Sequence, residues 1–132
     1  MPYTVEETIP GQVMLAEIYG EVTWEDFENS CNEQRQLMDN TDHTLMHIIA
    51  KMDRAESHPT SLGRLNSIFK PLLSHPKYGW LVVIGMENRL TIFLTTTLAK
   101  MFKIRYHTED SVEDAITFLK SMDATIAETA ER

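Results

Sequence analysis

At 132 residues, 42% hydrophobic and 24% charged, the chain has the size and composition of one folded domain with its own core, which excludes disordered, collagenous and low-complexity classes. Its net charge of −8 weighs against general nucleic-acid binding, and its single cysteine, Cys31, excludes an intramolecular disulfide and a Cys-based zinc site. The longest apolar run, Trp80–Met86, is far shorter than the roughly 20 residues of a membrane-spanning helix, and residues 1–11 carry acids where a secretion signal carries bases, so a soluble cytoplasmic protein is expected.

In chain order, Tyr3–Ile9 alternates weakly and stops at the turn pair Pro10-Gly11, and Val13–Gly20 follows as a second strand of a hairpin. Thr23 with Asp26 three residues on forms a capping-box variant, and Trp24, Phe27, Cys31, Gln34 and Met38 fall on one helical stripe. Leu45–Met52, bounded by Asp42 and Asp53, has the composition of a buried strand. Pro59-Thr60-Ser61 opens a second helix with Leu62, Leu65, Ile68, Phe69, Leu72 and Leu73 on one face, which Pro71 should bend or end.

Gly79–Met86 is a continuous apolar strand of the kind covered on both faces. Asn88 can cap a third helix reaching about Phe102, with Leu90, Phe93, Leu94, Leu98 and Met101 expected inward. Lys103–His107 is a short last strand, and Ser111-Val112-Glu113-Asp114 leads into a fourth helix through Ala115, Ile116 and Leu119. The order β-β-α-β-α-β-α-β-α predicts an α/β domain with a mostly parallel sheet and its first strand an antiparallel edge. A single domain over 1–132 is expected, with its core at about 3–120 and a C-terminal helical extension at 121–132.

Charge is unevenly spread along the chain. Residues 1–50 carry ten acids against Arg35 alone, residues 51–108 nine bases against three acids, and residues 109–132 seven acids against two bases. If Arg54, Arg64, Lys70, Lys77, Arg89, Lys100, Lys103 and Arg105 share a face, an acidic partner or an anionic ligand would meet it; otherwise they are solvated charge.

Most catalytic signatures are absent. The five glycines contain no GxGxxG or Walker A spacing, and no G-x-S-x-G occurs. His43 and His47 lack a third ligand nearby in sequence, so no metal site is expected there, and Cys31 on its apolar stripe is core filler. No catalytic residue and no cofactor follow from the sequence. The segment Lys51–Arg64 keeps functional weight, because it lies where a parallel strand hands over to a helix, the edge at which open α/β sheets place their sites. Ser57, Thr60 and Ser61 offer hydroxyls near a helix N-terminus, where free N–H groups favour an anion, and Arg54, Arg64 and His58 could supplement them. In the simpler alternative one hydroxyl is the N-cap and the arginines are solvated.

Asp53, and eight residues later Thr60-Ser61-Leu62-Gly63, together with the element order, resemble the STAS domain, the family of anti-sigma-factor antagonists and sulfate-transporter tails. The strand Gly79–Gly85 and the ending Ser111–Leu119 look closest to its small stand-alone, Sec14-related bacterial branch. In the family an Asp precedes the serine and an aliphatic residue follows the glycine; here Thr60 and Arg64 stand at those places. The resemblance implies that Ser61 is the serine presented to a kinase and Gly63 the family glycine. It implies a non-enzymatic regulatory module that binds a protein partner or a small anionic ligand around residues 57–64. The alternative, implied by the Sec14 relationship, is a carrier or sensor of a lipid or small hydrophobic ligand.

The third helix carries apolar residues beyond its core stripe, at Ile92, Ala99 and Phe102, with Thr95, Thr96 and Thr97 between them. A homodimer is expected through Ile92, Thr95, Thr96 and Ala99, with a covering acidic tail or a lipid site as competing explanations.

Overall fold

The computed structural model describes residues 2–85 and 87–126, which form a sheet of strand order β1-β2-β3-β4-β5. The elements are β1 (Tyr3–Ile9), β2 (Val13–Glu21), α1 (Trp24–Asn40), β3 (Met46–Ser57), α2 (Leu62–Leu73), β4 (Tyr78–Ile84), α3 (Arg89–Met101), β5 (Arg105–Glu109) and α4 (Val112–Met122). β1 pairs antiparallel with β2, and β2–β3, β3–β4 and β4–β5 are parallel, as the element order predicts. Gly11, at φ +73°, supplies the left-handed residue that the β1–β2 turn needs.

Each crossover advances one strand in the same direction, and right-handed crossovers taken in one direction place their helices on one face. Met14, Ala16, Ile48 and Met46 therefore pack under Cys31 and Met38 of α1 and Leu72 of α2, while Phe27, Leu65, Leu94 and Leu98 join the three helices above the same face. The alternate residues Val13, Ile49, Val82 and Ile84 point the other way, onto Ala115 and Leu119 of α4 and onto Ile126. α1 begins on the full capping box of Thr23 with Asp26, and Asn88 and Ser111 cap α3 and α4 through their side chains.

Four expectations change. β3 runs on to Ser57 instead of ending at Met52, because the tail of β2 continues to pair with it, Tyr19 to Arg54 and Glu21 to Ser57. Pro71 does not itself end α2; it lies in the last turn and the helix continues two residues further, to Leu73. β5 starts at Arg105 and not at Lys103, because Lys103 takes a left-handed conformation (φ 56°) and Ile104 N–H bonds the Ala99 carbonyl, closing α3 in a Schellman turn. Finally, α3 is rotated about its axis: Thr91, Leu94, Leu98 and Ala99 are buried, and Leu90, Phe93 and Met101, expected inward, are about half exposed. The inward Thr91 hydroxyl is satisfied by His58 at 2.7 Å, which makes a polar residue acceptable on the buried stripe.

The edge where the parallel strands begin is tied together by His47, 1% exposed. Its Nδ1 accepts the Trp80 N–H at 2.9 Å, so Nε2 carries the proton and donates to Asp123 at 2.9 Å. Gln12 donates to Thr125, and Ile126 is fully buried beside them, which closes the sheet behind α4. Of the expected extension at 121–132, residues 121–126 are these, and 127–132 lie outside the described residues.

A Cβ at Gly79 would clash with Nδ1 and Cε1 of His47, a ring that two hydrogen bonds hold in place, whereas a Cβ at Gly63 meets open space. Urea unfolding should therefore show Gly79→Ala destabilised by about 2–4 kcal/mol. By the same measurement Gly63→Ala should gain about 0.5–1 kcal/mol from helix propensity. Partial burial raises the Asp123 pKa, but hydrogen bonds from His47 and Thr125 outweigh it and hold the carboxyl below its ordinary 3.8. The stability this depressed pKa contributes is present above the ordinary value and is lost as pH falls through the lower folded one. The gap in unfolding midpoint between the native chain and Asp123→Asn should be widest above about pH 5 and close in more acid solution.

Candidate functional site

The residues singled out around 54–64 lie at the carboxyl edge of the sheet, where β3 ends and α2 begins. Ser57 is held there by its carbonyl, which accepts the Val22 N–H at 2.9 Å. Ser61 is the N-cap of α2 by backbone geometry (φ −68°, ψ 110°), yet its side chain makes no capping hydrogen bond. The residue is exposed, and none of the first-turn N–H groups bonds its hydroxyl. Ser67 Oγ instead returns to the Gly63 carbonyl inside the helix.

The expected arginines do not converge on Ser61. Arg54 lies over the Tyr19 ring at 5.3 Å and 3.8 Å from Glu17, and Arg64 stacks over Trp24 at 4.6 Å. The wider set of bases does not make one face either. Arg54, Arg64 and Arg89 sit at the carboxyl edge, while Lys70, Lys77, Lys100, Lys103 and Arg105 lie at helix ends or strand starts on the opposite edge. Lys51 bonds Asp53 at 2.9 Å and Glu17 at 3.3 Å; the bond to Asp53 does most to raise its pKa, against the opposing effect of burial.

His58 sits between two hollows. On one side a polar cleft of about 410 Å³ is lined by Asp53, Glu56, Glu87, Ser57 and Thr60, with no Lys or Arg among its described lining residues. On the other a cavity of about 120 Å³ lies between the sheet and α1–α3, lined mainly by apolar side chains such as Ile48, Ala50, Leu65, Leu94 and Leu98. The polar members of that lining are Gln34, Tyr78, His58, Thr91 and Thr95. Met52, His58 and Thr91 line both hollows. The His58 ring stands edge-on to Phe27 with centroids 6.2 Å apart, and its nitrogens meet the Pro59 carbonyl at 2.9 Å and Thr91 Oγ1 at 2.7 Å.

Cys31 is no reactive group: burial pushes its thiol up to about 12. His43 and His47 do not form a metal pair, since both His47 nitrogens are engaged, and no cluster of metal-ligating residues occurs among the described residues. Of the expected dimer residues, Ala99 is corrected to a buried position facing the cavity and Thr95 and Thr96 are half-buried, because α3 is rotated; its exposed apolar side chains are Leu90, Phe93, Met101 and Ile92. The link from His58 to Thr91 escapes sequence reasoning because it spans 33 residues. Its one trace is a threonine amid an otherwise apolar helix stripe.

No family model and no curated protein matches the sequence. Solved structures do. The anti-sigma-factor antagonist SpoIIAA in its unphosphorylated form superposes with a TM-score of 0.60 at 15% identity, over 89% of this chain and 97% of that one. The phosphorylated form of SpoIIAA, a Bacillus cell fate determinant, gives 0.59 at 13% identity over 89% and 98%. An uncharacterised DUF3478-family protein with a SpoIIAA-like fold from Shewanella loihica PV-4 gives 0.64 at 11% identity over 89% and 91%. The chain has the SpoIIAA-like fold, the architecture that the STAS resemblance implied.

Because the Ser61 hydroxyl bonds nothing in the helix it starts, Ser61→Ala should shift the thermal unfolding free energy by less than about 0.5 kcal/mol, below the usual loss for a working cap.

Proposed function

We propose that the chain is a non-enzymatic, cytoplasmic regulatory module of the bacterial STAS kind, and that a protein partner docks on the edge formed by residues 57–64. One observation carries this reading: Ser61 presents an exposed, unbonded hydroxyl at the start of α2, on a chain with the fold of an anti-sigma-factor antagonist. A phosphate placed there would lie beside the unsatisfied N–H groups of the first helical turn, which favours a negative charge. The carboxylates of Asp53, Glu56 and Glu87 make the neighbouring cleft unsuited to a free anion, so the proposal takes a protein over a small anionic ligand as the partner. The two-fold dimer belongs to the same reading, with Leu90, Phe93 and Met101 as the apolar side chains that α3 offers a second copy.

A photo-crosslinking residue at position 61, introduced in the protein's own cells, should capture a discrete partner, and the same residue at Thr4 on the far edge of the sheet should not. Ser61→Asp should change the yield of a crosslink placed at Thr60. Equal capture from both edges, or none from position 61, would refute the docking edge.

A second reading has its own observation. The cavity under α3 supports a sensor or carrier of a small hydrophobic molecule, and its 120 Å³ suits a single hydrocarbon ring better than a lipid chain.

A further inference from the structure

The cavity and the cleft beside it share three side chains, and the chemistry of those three restricts what could bind. A carbonyl oxygen only accepts, so His58 Nδ1, 2.9 Å from the Pro59 carbonyl, carries the ring proton. In the neutral ring His58 Nε2 is then a lone pair, and at 2.7 Å it accepts the Thr91 hydroxyl. That bond spans the boundary between the apolar cavity and the polar cleft, since both residues line both.

We propose that cavity and cleft form one binding site for a small molecule with an apolar, ring-sized body and an uncharged or cationic hydrogen-bond-donating head, with His58 Nε2 as the acceptor of that head. The proposal rests on the second reading above, that the cavity takes a ligand, and adds the chemistry of the head. Three observations lead to it. The cavity is of the size of engineered apolar cavities that admit benzene. The lone pair at its mouth is already used by a hydroxyl, so a ligand hydroxyl or amine can replace Thr91 in the same geometry. The displaced threonine stands in the first turn of α3, where the Asn88 carbonyl three residues back is an acceptor within reach of its hydroxyl, so no buried hydroxyl need be left unpaired.

The third observation is charge. Glu56, Glu87 and Asp53, the last also bonded to Lys51, line the cleft into which the head would point, with no Lys or Arg among its described lining residues. A carboxylate or phosphate head meets repulsion there and would need a donor that His58, with its proton committed to Pro59, does not present. An ammonium head meets attraction.

Four probes with the same ring body isolate the head: toluene, benzyl alcohol, benzylamine and benzoate, titrated into the full chain and followed by amide NMR shifts at Leu94, Leu98 and Ala99. Saturable shifts are expected with benzyl alcohol about fivefold tighter than toluene, the ratio one net hydrogen bond supplies. Benzylamine should bind at least as tightly as the alcohol, and benzoate weakest of all. In His58→Leu the affinity for toluene should persist and the advantage of the alcohol should vanish. Should that variant fail to fold, Thr91→Val serves instead: it removes the competing hydroxyl, so the alcohol should tighten while toluene stays unchanged. Saturable binding of toluene with no preference for the alcohol, a preference for benzoate, or an alcohol advantage that survives His58→Leu overturns the head assignment while leaving the cavity reading intact. No saturable shift with any probe overturns both.

Discussion

Three parallel crossovers, each advancing one strand in the same direction, are the constraint on which the rest of the molecule depends. Their common hand forces α1, α2 and α3 onto one face and leaves the other to α4 and the turn after it. The three helices must share the width of a sheet whose last strand, β5, is short. α3 closes the far side with Thr91, Thr95 and Ala99 among its inward residues, side chains too small to fill the space beneath them. The cavity thus follows from topology and side-chain volume together. The same crossovers bring the starts of α2 and α3 to the edge where β3 and β4 end, which is why His58 and Thr91 are neighbours at all.

Two histidines on β3 and just beyond it perform one task at opposite edges with different consequences. His47 uses both ring nitrogens to join β4 to the chain after α4, and His58 joins the β3–α2 connection to α3 through Nε2 while its Nδ1 meets the adjacent Pro59 carbonyl. A buried imidazole is tolerated only when its polar atoms are paired, and both satisfy that condition. His47 is sealed at 1% exposure, with Gly79 pressed against its ring, so its bonds are structural. His58 stands at an open cleft and its partner is a hydroxyl on a rotatable side chain, so the same kind of bond can be exchanged. Exposure to solvent separates a fastener from a contact that a ligand can replace.

What the sequence made legible was local. Thr23 with Asp26, Asn88 and Ser111 announce three helix starts, because a cap is a bond over two or three residues and its spacing is written in the chain. The antiparallel first strand and the parallel remainder follow from connection lengths alone. Illegible were the features settled across the fold. β3 exceeds its apolar run because a neighbouring strand still needs partners, which the polar stretch Asp53–Ser57 does not reveal. α3 turns Phe93 outward because Thr91 has an acceptor 33 residues away, so a stripe chosen by hydrophobicity alone selects the wrong face. Arg54 and Arg64 look like anion ligands by their place in the chain, but each guanidinium lies over an aromatic ring, Tyr19 and Trp24. The Pro59-Thr60-Ser61 start and the STAS resemblance both put Ser61 at the start of its helix; that its hydroxyl makes no capping bond is not written in the chain.

The likeness to SpoIIAA and to a SpoIIAA-like DUF3478 protein at 11–15% identity shows how little of this architecture depends on particular side chains. Strand order, crossover hand and alternation of apolar residues suffice to reproduce the backbone, and none of them specifies what meets the carboxyl edge. Occupancy there is decided by residues free to vary within the fold: carboxylates at Asp53, Glu56 and Glu87, a hydroxyl at Ser61 that no backbone group claims, and an imidazole lone pair at His58 shared with a threonine. The first two features act over different distances. The carboxylates set the sign of charge that may approach the cleft, an effect that extends for about a Debye length, roughly 8–10 Å in ordinary salt. The hydroxyl acts only on what touches it, so an edge hostile to free anions can still accept a phosphate carried covalently by Ser61 on the helix's own first turn.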